Sequence, residues 1–139
     1  MDASLSFIVI IGTAVLATMA FSAFWYAPQI FGNSWMALSG VNPVASRDGR
    51  KMMLFTFFAN IATALTLYIV LLWAGAQTAK DGLVVGVWIG SGLTSMTLLI
   101  SYLWEGKPMK LFLIVAGNSF CCVVLMATLM AHLMGKFYF

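Results

Sequence analysis

The chain has 139 residues, of which 63% are hydrophobic and only 8% charged, with a mean hydropathy of +1.01. Soluble domains carry about 25% charged residues, so an ordinary water-soluble fold is excluded. The formal charge of +3 is too small and too dispersed for a nucleic-acid partner.

The seven basic and four acidic side chains all lie outside four apolar stretches, residues 5–27, 52–75, 83–104 and 111–134. Each stretch exceeds twenty residues, and at about 1.5 Å of rise per residue each can cross a hydrocarbon core of roughly 30 Å. The expected fold class is therefore all-α, an integral membrane domain of four transmembrane helices occupying residues 1–139. Little chain is left over for a separate soluble domain.

The first stretch lacks the features of a cleaved signal peptide. Asp2 is the only charged side chain near its start, the apolar run is long, and no small-x-small site ends it. It reads as a retained helix. Pro28 disfavours helical geometry at Ala27, so the span ends or bends there. Beyond it, Ile30, Phe31, Trp35 and Leu38 recur at helical spacing with Gln29, Asn33 and Ser34 between them. That pattern predicts a short helix in the headgroup region with its apolar face towards the lipid. Gly40 can end this helix, and Asn42-Pro43 can cap the next, which would carry Arg47, Arg50 and Lys51 ahead of the second span.

Residues 76–82 and the run Glu105-Gly106-Lys107-Pro108 are short turns. Connections this short make successive helices antiparallel neighbours, an up-down-up-down bundle. Interfacial aromatics mark the two ends: Trp25, Tyr26, Trp35 and Trp104 at one, Trp73, Phe137, Tyr138 and Phe139 at the other. Arg47, Arg50, Lys51, Lys107 and Lys110 fall on one side, against Lys80 and Lys136 on the other. The positive-inside rule then makes loops 28–51 and 105–110 cytoplasmic and puts both termini outside, in an inner or plasma membrane. A parallel two-helix repeat is also suggested. The intervals of Thr18, Ser22 and Trp25 match those of Thr97, Ser101 and Trp104, and Asn60 and Asn118 follow at similar depths.

Three constellations stand out inside the spans. Gly82, Gly86 and Gly90, continued by Thr94, place a small residue at every fourth position of the third helix, so another backbone can approach closely. The partner is either a helix of this chain or a second copy. Thr18, Ser22, Asn60, Thr97, Ser101 and Asn118 form a neutral polar set predicted to lie in the cytoplasmic half of the bundle. Amides in hydrocarbon are costly when unpaired, so the set either pins helix packing through hydrogen bonds or lines a pocket for a small neutral ligand. Met126, Met130 and Met134 make a thioether stripe with His132 nearby, for which core packing outweighs copper(I) binding.

No nucleophile stands beside a base, so no catalytic residue is assigned and an enzyme is not expected. Asp48, Asp81 and Glu105 have basic neighbours and read as solvated loop charges. Cys121 and Cys122 are adjacent in mid-span and lack metal-ligand spacing. No metal site or cofactor is expected.

The segment from Phe24 to Trp35, Phe-Trp-Tyr-Ala-Pro-Gln-Ile-Phe-Gly-Asn-Ser-Trp, closely resembles the signature of a bacterial and fungal membrane family, domain of unknown function seventeen sixty-one. Trp104-Glu105-Gly106 resembles the same family's turn after the third span. The resemblance covers essentially the whole chain and implies a four-helix integral membrane protein, with no active-site or cofactor residue to carry over. Within the motif, Trp25 and Tyr26 anchor the helix end and Pro28 turns the chain. Gly32 permits close approach, while Phe31 and Trp35 hold the interfacial helix down. The alternative is a binding groove lined by these aromatics.

The sequence thus points to a non-catalytic packing or interaction unit. Its expected partners are membrane lipid and a second copy or larger membrane complex. The competing expectation is a transporter or channel for a small neutral solute.

Overall fold

The computed structural model describes residues 2–42 and 48–139, which are helical with no strand among them. Four helices are long and apolar enough to cross a membrane: α1 (Ala3–Trp25), α3 (Gly49–Trp73), α4 (Ala79–Trp104) and α5 (Met109–Tyr138). A fifth, short helix α2 (Asn33–Ser39) follows α1 through one π-helical turn, Pro28–Gly32. Pro43 and Arg47 lie outside the described residues, and α3 begins at Gly49.

The turns follow from local chemistry. Gly75 and Gly106 adopt φ of 64° and 65°, the left-handed region that only glycine enters without strain. Around Gly75, the Ala76 N–H donates to the Leu71 carbonyl and the Gly75 N–H to that of Leu72; Lys107 and Gly106 repeat the pattern on Tyr102 and Leu103. Both turns therefore satisfy the last carbonyls of the preceding helix. Asp81 is not a free loop charge. Its carboxylate accepts from the Thr78 N–H at 3.0 Å while the Asp81 N–H donates to the Thr78 hydroxyl at 3.2 Å, a reciprocal cap on α4. At the other turn Glu105 pairs with Lys107, and this hydrogen bond raises the lysine pKa.

The core lies between α1, α3 and α5. Ile10, Ala14 and Val15 meet Ala64, Leu67 and Leu71 and the α5 residues Met126, Ala127 and Met130. At one end Phe7 packs edge-on to Tyr68, whose hydroxyl donates to Tyr138 at 3.2 Å. The remaining long helix is placed differently: α4 packs along α5 and leaves most of its surface outward.

The α4 helix is not uniform. Residues Ile89–Ser95 form a π-helical segment, and the Ser95 hydroxyl donates five residues back to the Gly90 carbonyl at 2.7 Å. Each residue advances an α-helix by about 100°, so the extra residue of a π segment turns everything beyond it by about that angle.

Candidate functional site

The glycine stripe is occupied by α5. A Cβ on Gly82 would run into the Ala127 carbonyl and the Ala131 methyl, and one on Gly86 would come within 2.8 Å of the Val124 Cα. One on Gly90 would meet the Phe120 ring at 2.9 Å. All three glycines are buried, and Thr94, inside the π segment, is half-buried. The spacing that opens α4 to a close neighbour is therefore filled within the chain.

The six neutral polar residues do not gather in one place. Three of them do, on α1 and α5. Ser22 donates to the Asn118 side-chain oxygen at 3.2 Å, and Thr18, buried one turn away, donates to the Ala14 and Val15 carbonyls. A fourth member, outside the six polar residues expected from the sequence, is Cys122. Its sulfur is 3.3 Å from the Ser22 oxygen and donates to the Asn118 oxygen at 3.7 Å. The signal was available: Cys122 stands one helical turn beyond Asn118. Asn60, half-buried on α3, makes no hydrogen bond to this node.

Thr97 and Ser101 are exposed on the outer side of α4. The π segment is the reason. In an unbroken α-helix both would continue the Gly82–Gly90 stripe towards α5; displaced by one residue, they share an outward stripe with Leu93 and Trp104, which are 66% and 88% exposed. The Thr97 hydroxyl is satisfied by the Leu93 carbonyl at 2.6 Å.

The corner after α1 is built from two interlocked ring pairs. Trp25 lies 4.6 Å from Phe31, and Tyr26 lies 5.4 Å from Trp35. Pro28 opens the π turn between them, and Gly32 is buried where a side chain would strike the Tyr26 and Ala27 carbonyls. Trp25 also reaches across to α5, where its indole N–H donates to the Ile114 carbonyl at 3.0 Å. Burial raises the Tyr26 phenol to about 12, with smaller contributions from Tyr102 and Cys122. That phenol is neutral across the physiological range.

A family model described as a protein of unknown function, DUF1761, matches residues 9–131. The chain belongs to the DUF1761 family. No curated protein and no solved structure matches it. The DUF1761 match spans the corner, the glycine stripe and the polar node together.

Two surface cavities flank the bundle, and none of the six polar residues lines either. One, of about 770 Å³, lies among Phe7, Ile8, Tyr68, Leu72 and Tyr138. The other, of about 380 Å³, lies beside the corner, between Phe31 and Lys110. Met126, Met130 and Met134 are buried in the core, whereas His132 is exposed, so the thioethers and the imidazole do not converge. Among the described residues no three His, Cys, Asp or Glu side chains are grouped to hold a metal ion.

Proposed function

We propose that this DUF1761 protein is a non-catalytic membrane unit that assembles with a second copy through the outward side of α4. The observation that carries this reading is the thin cover on that helix. Only 11% of its apolar span is buried, the least of the four, against 17% for α3, 28% for α1 and 39% for α5. Because the glycine stripe is already filled by α5, the surface of α4 left for a partner includes the Leu93, Thr97 and Ser101 stripe. Small hydroxyl residues there permit close approach by another helix, where van der Waals packing and interhelical hydrogen bonds drive association in lipid. Mass measurement of the protein in mild detergent tests the proposal. A multiple of the 15.1 kDa chain mass supports it; a single chain at every concentration sinks it.

The same reading includes an up-down-up-down topology, supported by Phe7 near the start of α1 meeting Tyr68 near the end of α3, and by Tyr68 meeting Tyr138 at the matching end of α5. Loop charge supports cytoplasmic 28–51 and 105–110 segments with both termini outside an inner or plasma membrane. A two-helix parallel repeat rests on equal intervals in the sequence; its two copies have different surroundings, Thr18 and Ser22 inward, Thr97 and Ser101 outward.

A second reading, passage of a small neutral solute, is favoured by the node of Thr18, Ser22, Asn118 and Cys122 at the α1–α5 contact. Flux of uncharged solutes into proteoliposomes separates the two. Uptake abolished by Asn118→Leu with assembly intact would favour passage.

A further inference from the structure

The cavity beside the corner has a chemistry that the one at the opposite end lacks. Its walls come from α1, the π turn and α2 (Trp25, Phe31 and Ser34 respectively) and from the first turns of α5 (Lys110, Leu113). One ammonium and one hydroxyl stand over an aromatic and aliphatic floor, and no carboxylate lines it. The nearby carboxylate of Glu105 is engaged by Lys107, while Lys110 has no ion-pair partner among the described residues. Its depth is fixed by the helices that bound it. Trp25 is the last residue of α1, and Lys110 is the second residue of α5, just ahead of its apolar run. That is the level at which hydrocarbon gives way to headgroups.

We infer that this groove binds an anionic glycerophospholipid, with Lys110 and Ser34 holding the headgroup phosphate and Phe31 and Leu113 holding the first carbons of an acyl chain. The charge fits: an ammonium with no counter-ion among the described residues, lining the same groove as a hydroxyl, matches a phosphate. The size fits as well, because about 380 Å³ lies in the usual range for small-ligand pockets. Phe31 is held in place by Trp25, and Trp25 by the Ile114 carbonyl, so the floor is formed before the lipid arrives. The opposite cavity, lined by Phe7, Tyr68 and Tyr138, offers no charged group to select a headgroup. The inference stands on the membrane reading alone and is independent of self-association.

The test is native mass spectrometry of the full chain in an uncharged detergent, after equilibration with equal amounts of phosphatidylglycerol and phosphatidylcholine. The wild type should retain phosphatidylglycerol about fivefold more than phosphatidylcholine, the equivalent of the ~1 kcal/mol that one basic side chain contributes at an anionic surface. Lys110→Gln, a change at an exposed position, should erase the preference while leaving the melting temperature unchanged. Lys136→Gln, at the far end of α5, should keep it. Equal retention of both lipids by the wild type would overturn the inference. So would a preference that survives Lys110→Gln, one lost equally in Lys136→Gln, or displacement of the lipid by millimolar inorganic phosphate.

Discussion

The indole N–H of Trp25 donates to the backbone carbonyl of Ile114, tying the end of the first membrane helix to the start of the last. Gly117 makes room for this contact, since a Cβ there would stand 3.0 Å from the indole ring. Trp25→Phe keeps the ring against Phe31 but removes the donor. It should lower stability by about 1 kcal/mol, the usual net value of one hydrogen bond, measured by unfolding in mixed detergent micelles. Gly117→Leu should cost more, because it displaces the ring itself. An unchanged midpoint in both variants would show that the corner is not held to α5 in this way.

The contact between α4 and α5 predicts a contrast between two glycines of one helix. Gly82→Ala drives a methyl into the Ala127 carbonyl, a backbone group that cannot move aside, and should destabilise by about 1–3 kcal/mol. Gly92 has nothing within 4 Å of its would-be Cβ. Gly92→Ala should therefore be neutral, or stabilising by up to about 1 kcal/mol through helix propensity. Equal effects at the two positions would contradict the packing described.

The polar residues predict a second contrast. Ser22→Ala and Asn118→Leu each break the 3.2 Å bond between α1 and α5 and should cost about 1 kcal/mol, as interhelical hydrogen bonds in lipid do. Thr97→Val removes only a hydroxyl that bonds its own helix at an exposed position, and should change the fold by no more than about 0.5 kcal/mol.

Tyr26 gives a pH signature. Its folded pKa of about 12 lies above the ordinary 10.0, mainly because burial disfavours the phenolate. Below pH 10 the protonated phenol is present in both states and the wild type keeps its full stability. As pH rises from 10 through 12 the unfolded state ionises first, so folding is progressively disfavoured. The stability difference between wild type and Tyr26→Phe should be flat up to pH 10 and then widen against the wild type. A difference that does not change up to pH 12 would refute the burial of this phenol.

The four long helices were legible because lipid excludes charge, and the exclusion is visible residue by residue. The expected 83–104 and the observed Ala79–Trp104 differ only by the turn that Thr78 and Asp81 cap. The side of a helix that faces inward was less legible. Apolar residues cover both lipid and protein faces, so periodicity gives little direction, and small residues carried most of the signal. That signal located Gly82, Gly86 and Gly90 on a contact surface but failed at Thr97 and Ser101. Extrapolating at 3.6 residues per turn crosses the π segment Ile89–Ser95, which nothing in the hydropathy marks. Cys122 is hard to place from sequence because a thiol is both a small hydrophobe and a weak donor. The corner motif was legible as an anchor, whereas its reach to Ile114 depends on how α1 and α5 lie together.

The claim that the outward side of α4 meets a second copy is tested most directly by disulfide crosslinking in native membranes. Ser101→Cys is placed in a background with Cys121 and Cys122 replaced by alanine, and compared with Leu16→Cys, a 65% exposed position on α1. Mild oxidation should convert Ser101→Cys to a species of twice 15.1 kDa while Leu16→Cys stays single. A single-chain species for both, or equal crosslinking of both, would contradict assembly through α4.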